Sequence, residues 1–297
     1  MYIALYFHFW KTLHILDQLT HGGDSISKLI LALLIAVLIG SIASGLAEEK
    51  VTVSGSTTVL PLGEAAAEAF NSQQKDCQVT VTGGGTGAGV TAIAEGRSNC
   101  AMASREVTKE EIANYGDKFK QFAVGYDGVA IAVSRSIYDA GVKQLTSDQV
   151  KKIYAGEIKN WKEVGGPDKP IFAIAREQGS GTRDTFNEDI MGDKSAETPG
   201  VSTVAASNAE VKTAIIGSDK AIGYLGFNYV QGGNIRALTL DGFAPSVQTI
   251  KDGTYKLHRQ LFLYTLGEPT PCAQKFIDFV TGPEGRKVAE ENGFIPL

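Results

Sequence analysis

The chain has 297 residues and a net charge of −5, with 43% hydrophobic, 21% charged and 8% aromatic residues. That is ordinary globular composition and excludes a disordered chain, a coiled coil and a multi-span membrane protein. An acidic chain is also a poor match for nucleic acid, whereas a small anion held by local dipoles and one or two Arg stays open.

Three of the four His (His8, His14, His21) lie in the first 21 residues, and the Cys are scattered at 77, 100 and 272. Neither set has the clustered spacing of a metal site, so no metal and no cofactor are expected. Single buried thiols are the expected state of the cysteines, with a Cys77–Cys100 disulfide open to an exported chain.

In chain order, residues 1–27 read as an unstructured or mis-set start. Residues 28–47 read as a signal peptide or an N-terminal membrane anchor: Lys28, an apolar run and then small residues. Strand-like runs at Val51–Val53, Val79–Val81 and Ala101–Ala103 alternate with helical patterns at Pro61–Phe70 and Val90–Glu95. This β-α-β-α-β order predicts a parallel sheet. A second α/β set spans Val129–Val133, Ser147–Tyr154, Ile171–Ala175, Thr182–Ile190, Ala209–Ile216 and Ala221–Leu225. Thr146 and Gln149 form a capping-box pair. A strand near Leu261–Tyr264 and helices at Pro271–Val280 and Pro283–Glu291 finish the chain. Glu110–Glu111 read as a solvated helix face.

Three strand-to-helix loops share one chemistry: SGSTT (Ser54–Thr58), GGGTGAG (Gly83–Gly89) and GSGT (Gly179–Thr182). Such turns expose free N–H groups at the positive end of the helix dipole, Gly lets a ligand approach the backbone, and Ser or Thr adds a hydroxyl. Each Ser or Thr has an alternative use as a helix cap; three such loops, with Arg176 four residues before Ser180, favour an anion cradle. Rival motifs fail on residue type. Val90 stands where a P-loop needs Lys, a nicotinamide fingerprint is matched only loosely, and Gly179-Ser180-Gly181 is not a nucleophile elbow.

The segments VSGSTTVLPL, GGGTGAG, MASRE, YDGVAIAV, LTSDQVKKIYAGEIKNW, REQGSGTRDTF, AIGYLGF and GFIPL arrive in the order seen in phosphate-binding proteins of ABC transporters, and the chain resembles that PstS-type family over Val51–Leu297. The resemblance implies an α/β, two-lobed type II periplasmic-binding-protein fold with the ligand cleft between two α/β domains joined by hinge strands. Residues 51–125 and 259–297 are expected to form one lobe and 126–258 the other. It further implies phosphate contacts from Ser56, Thr57, Thr86, Ser104, Arg176, Ser180, Gly181 and Thr182. Two positions depart from the family. Arg105 follows Ser104 where some members carry the Asp that accepts the phosphate proton, and Gln178 stands where they carry a second Asp. Arg105 is therefore expected to add positive charge to the site, and Glu106 or Asp127 to serve as replacement proton acceptor. Sulfate, molybdate and tungstate stay open as ligands.

The expected function is extracytoplasmic capture of inorganic phosphate by hinge closure and delivery to ABC permease subunits. The protein is expected to be a monomer that meets the membrane only through its N-terminal segment. The alternatives are a binder of another oxyanion, a tethered phosphate sensor, and an exported hydrolase using Ser56 or Ser180.

Overall fold

The computed structural model describes residues 48–233 and 235–297, so the readings of residues 1–27 and 28–47 lie outside the described residues. The described chain begins with β1 (Glu49–Gly55), α1 (Leu60–Gln73), β2 (Cys77–Thr82), α2 (Thr86–Ala94) and β3 (Cys100–Ala103). β1 pairs in parallel with both β2 and β3, as the β-α-β-α-β order requires. α1 has Pro in its first turn, where a missing N–H costs nothing, and buries Leu62, Ala66, Ala67 and Phe70 along one stripe. α2 starts four residues before the expected Val90, because Gly85 at φ 90° turns the chain into the helix in a conformation that other residues rarely adopt.

Next come α3 (Lys109–Tyr115), β4 (Phe119–Val133), α4 (Arg135–Asp139), β5 (Gln144–Leu145) and α5 (Ser147–Tyr154), the last opened by the Thr146–Gln149 capping box. β6 (Phe172–Arg176), α6 (Gly181–Phe186), β7 (Val201–Ala205), α7 (Asn208–Ile216) and β8 (Ala221–Gly226) follow. The helix expected over Thr182–Ile190 is α6 continued by a π turn, Asn187–Met191. There the carbonyl of Asn187 accepts from the N–H groups of Gly192 and Asp193, which widens the turn. Short strands β9 (Arg236–Ala237) and β10 (Thr239–Leu240) lead through α8 (Val247–Lys251) to β11 (His258–Leu266), α9 (Pro271–Thr281) and α10 (Pro283–Glu291).

Nine strands join in one sheet ordered β2-β1-β3-β11-β4-β8-β6-β7, with β9 also on β4. Val129–Val133 is only the end of the long strand β4. Nine of the ten residues before it pair antiparallel with β11, Val124 bulging out of the register, and Val129–Val133 pairs antiparallel with β8. Gly125, Asp127 and Gly128 interrupt the apolar pattern there, which hides the strand from periodicity.

Two main cores flank this long strand. One gathers side chains from Val51 to Val124 and from Leu261 to Phe294; the other runs from Val129 to Leu257 and adds Ile295. The chain passes between them only within β4 and around the start of β11 and the final residues. The cysteines correct the expectation of single thiols: Cys77 on β2 is joined to Cys272 on α9, with Cα atoms 5.7 Å apart, and Cys100 is the buried free thiol. Sequence spacing of 195 residues gave no hint of that pairing. Among the described residues no helix is long and apolar enough to cross a membrane.

Candidate anion site between the two cores

All three Gly, Ser and Thr loops converge. Ser56, Thr57 and Thr58 lie at the end of β1, Thr86 at the start of α2 and Ser104 just after β3, all carried by the first core. Ser180, Gly181 and Thr182 open α6, and Asn208 opens α7, both on the second core. Every one of the hydroxyl residues is buried, as is Asn208. Capping does not account for most of them. α1 and α2 have no side-chain cap at their N-termini, so Thr57 and Thr86 are not spent on their own helices. Ser180 does cap α6, accepting from Arg183 N–H at 3.3 Å, and Ser56 accepts from Thr58 N–H at 3.2 Å.

Contacts across the seam are direct. The two hydroxyls of Thr58 and Thr182 are 3.0 Å apart, and Gly87 N–H donates to the Gly179 carbonyl at 2.9 Å. Gly181 abuts the first core so closely that a Cβ there would stand 2.6 Å from Ser104 Oγ and 2.8 Å from Thr86 Oγ1. Only Gly fits. Asn208 Nδ2 donates to Thr57 Oγ1 at 3.0 Å and to Thr58 Oγ1 at 3.1 Å, while its Oδ1 accepts from Gly226 N–H at 3.0 Å. Tyr229 OH donates to the Thr57 carbonyl at 2.7 Å, and burial pushes its pKa up to about 12, so it stays a donor.

Hydrogen-bond accounting limits where several protons point. Thr58 Oγ1 accepts from Asn208 Nδ2 and from Arg259 Nη2 at 3.0 Å. The Nη2 group has two hydrogens, one taken by Asp127, so Thr58 and Thr182 share the other, Thr182 at 3.2 Å. Either hydroxyl can donate across the 3.0 Å Thr58–Thr182 contact, and one proton of the pair is left for a third group, as is that of Thr57, which accepts twice from Asn208. These spare protons are the donors a tetrahedral anion needs.

Arg176, at the end of β6, is 1% exposed. Its Nε and Nη2 donate to the two Glu177 oxygens at 3.0 and 2.7 Å, and its backbone N–H donates to Tyr224 OH at 3.0 Å. Nη1 is buried and has no partner. Glu177 thus takes up one edge of the guanidinium, while Gln178 is exposed. Arg259 on β11 stands opposite Asp127 on β4 in strand register, which puts the two side chains on one face. Nε and Nη2 of Arg259 reach Asp127 Oδ2 at 3.0 and 2.7 Å, and Nη1 again has no partner. Burial raises the Asp127 carboxyl pKa, with Arg259 pulling the other way. For Arg259 burial lowers the value, Asp127 opposes this, and nearby Arg176 adds to the lowering.

Three of the expected site residues have other partners in the structure. Arg105 adds no free charge to the cradle, because its Nε donates to Asp184 at 2.6 Å and its two Nη atoms to Glu111 at 2.8 and 2.9 Å. Asp127 is not a free acceptor, since Oδ2 holds Arg259 and Oδ1 accepts from Phe227 N–H at 3.0 Å. Glu106 is exposed, and its carbonyl accepts from Arg105 Nη1. Glu111, read as solvated, is instead the Arg105 partner and forms the capping box of α3 with Thr108. Thr58, Glu177, Asn208, Tyr229 and Arg259 were missed. Thr58 and Glu177 sit inside quoted motifs and were legible as neighbours of named residues; Arg259 and Asn208 carried no local signal.

Glu111 supplies a titration test. Burial alone would raise its carboxyl pKa, but Arg105 and Thr108 outweigh that and hold it below the ordinary 4.5. The stability from this pair is present above pH 4.5 and is lost as pH falls through the lowered value. A carbon-detected NMR titration should place the Glu111 midpoint below 4.5, moving up in Arg105→Ala; a midpoint at or above 4.5 in the wild type would contradict the pairing.

Among the described residues no group of three His, Cys, Asp or Glu is placed to hold a metal ion. The comparisons agree with an anion-binding arrangement. The chain matches the PBP superfamily domain over residues 41–284. It is 36% identical over 253 residues to the phosphate-binding protein PstS of Bacillus subtilis, covering 84% of this chain and 82% of that protein. The PstS of Staphylococcus saprophyticus is 33% identical, with 87% and 83% covered. A solved structure from Clostridium perfringens, described as a phosphate ABC transporter substrate-binding protein with bound phosphate, superposes with a TM-score of 0.78 at 35% identity, covering 84% of this chain and all of that one. An ABC-type phosphate transport receptor from Vibrio cholerae gives 0.68 at 30% identity, covering 83% and all. The mixed α/β fold is therefore the two-lobed type II periplasmic-binding-protein fold expected from the sequence. With the match spanning both cores and every motif loop, the chain belongs to the PstS family of phosphate-binding proteins.

Proposed function

We propose that the protein captures inorganic phosphate outside the cytoplasm and delivers it to an ABC permease. The observation that carries this is the buried, unpartnered Nη1 of Arg176, a guanidinium that also reaches the Ala206 carbonyl two residues before Asn208 and its contacts with the Thr57 and Thr58 hydroxyls. A buried donor of that kind is costly unless an acceptor fills the site, and a tetrahedral oxyanion supplies several acceptors at once. Phosphate is favoured among oxyanions by the PstS relatives and by the phosphate-bound Clostridium perfringens structure.

The two lobes are residues 51–125 with 259–297 and residues 126–258. They close around the ligand because the closed state alone lets both sets of donors reach it. Ser56, Thr57, Thr86, Ser104, Arg176, Ser180, Gly181 and Thr182 face the anion, joined by Asn208. The protein works as a monomer, and residues 28–47 export it or tether it. A hydrolase using Ser56 or Ser180 finds little support: among the described residues neither hydroxyl is hydrogen-bonded to a His, Asp or Glu that could take its proton, each contacting only a backbone N–H.

Calorimetric titration of the full chain, stripped of ligand, tests the reading. Stoichiometric phosphate binding at pH 7 and 8.5, undisturbed by excess sulfate or molybdate, is the expected result. Equal or tighter binding of either competitor overturns phosphate as the ligand while leaving the anion cradle in place.

A further inference from the structure

Arg105 sits one residue beyond Ser104, yet its guanidinium points into a different set of partners. Glu111 grips it with both oxygens from α3 on the first core, and Asp184 grips its Nε from α6 on the second. The three side chains are only 10%, 16% and 18% exposed. Asp184 lies in the first turn of the helix that presents Ser180, Gly181 and Thr182, and the Arg105 side chain packs where a Cβ on Gly181 would meet its Cγ at 3.1 Å. The triad therefore ties the donor loop of one lobe to the donor loop of the other without using the cradle itself.

Resting on the phosphate reading above, we propose that Arg105 is a positioning residue whose ion pairs with Glu111 and Asp184 clamp the closed cleft, setting how long a bound oxyanion stays and not which oxyanion is chosen. Glu111 lies on Arg105's own side of the seam, so it aims the guanidinium. Asp184 is the partner that must be released when the cleft opens. Burial disfavours the Arg105 charge, but the two carboxylates more than offset it and raise its pKa, so the clamp stays charged.

The test compares Arg105→Ala, Asp184→Asn, Glu111→Gln and the swapped pair Arg105→Asp with Asp184→Arg in the full-length protein. Stopped-flow kinetics would use inorganic phosphate, with sulfate as competitor, and small-angle scattering would follow the ligand-free and phosphate-saturated shapes. Arg105→Ala and Asp184→Asn are expected to speed phosphate release by about 10- to 100-fold, with the association rate and the phosphate-to-sulfate ratio within about threefold of wild type. Glu111→Gln should fall between them and wild type, and the swapped pair should recover part of the slow release. An unchanged release rate overturns the clamp. So does a phosphate-to-sulfate ratio moved by tenfold or more, since that would make Arg105 a ligand contact. Should the wild type bind no phosphate, the functional reading fails separately. The clamp is then judged by scattering: Asp184→Asn must expand the ligand-free protein, and equal radii of gyration for the two proteins would sink it.

Discussion

Replacing Arg176 with alanine is expected to weaken phosphate binding by about 4 kcal/mol, roughly a thousandfold in Kd. The side chain is 1% exposed, its outer edge is neutralised by Glu177 and the Ala205 carbonyl, and Nη1 alone is left over. That geometry spends the charge locally and leaves a directed donor, the strong kind of hydrogen bond to an anion. Arg176→Lys should be nearly as damaging, because an ammonium cannot hold Glu177 bidentately and donate in a second direction at once. Calorimetry on both variants, with circular dichroism as the check on folding, gives the answer. A dissociation constant within threefold of wild type for a folded Arg176→Ala protein would take this residue out of the site.

The second large effect is on stability. Asp127→Ala is expected to cost about 3–5 kcal/mol and to lower the melting temperature by roughly 10 °C. It strands Arg259, a residue 8% exposed whose Nη1 already lacks a partner. Replacing both, Asp127→Leu with Arg259→Met, should restore most of the lost stability, because an apolar pair avoids the desolvation of two charges. Affinity should not return with it. Arg259 Nη2 also supplies the hydrogen that the hydroxyls of Thr58 and Thr182 share, and without it these rotors lose a fixed donor. Thermal unfolding and calorimetry read the two quantities separately; a double variant that regains both would mean that the pair serves the sheet alone.

Much of this site was legible from the chain. Ser56, Thr57, Thr86, Ser104, Arg176, Ser180, Gly181 and Thr182 all come from loops whose composition says strand, tight turn, helix start, and the fold brings those loops together. Elements with a strong period, such as α5 with its capping box and α10 after Pro283, fell where the pattern placed them. What local pattern could not reveal are facts about distant partners. Arg259 matters through its register opposite Asp127, 132 residues away. Asn208 matters because α7 happens to point its first residue at Thr57, 151 residues away. The same limit explains Arg105. Its position after Ser104 suggested a ligand contact, while the carboxylates that claim it, Glu111 on the next helix and Asp184 on the other lobe, were invisible as partners. Cys272, too, lies 195 residues from Cys77, and only the packing of α9 against the sheet places the two side by side.

One further property follows from how the arginines around the cleft are held. Arg105 faces Glu111 and Asp184, Arg176 faces Glu177, and Arg259 faces Asp127, so these three cations are matched before any ligand arrives, while Arg183 Nη1 donates to the Arg176 carbonyl. Such a site projects little field into solution, and it draws its anion by contact with oriented dipoles at short range. Counter-ions screen exposed charges beyond about 10 Å at 0.1 M salt but scarcely touch buried, short-range donors. Capture in such a cleft is therefore largely indifferent to ionic strength.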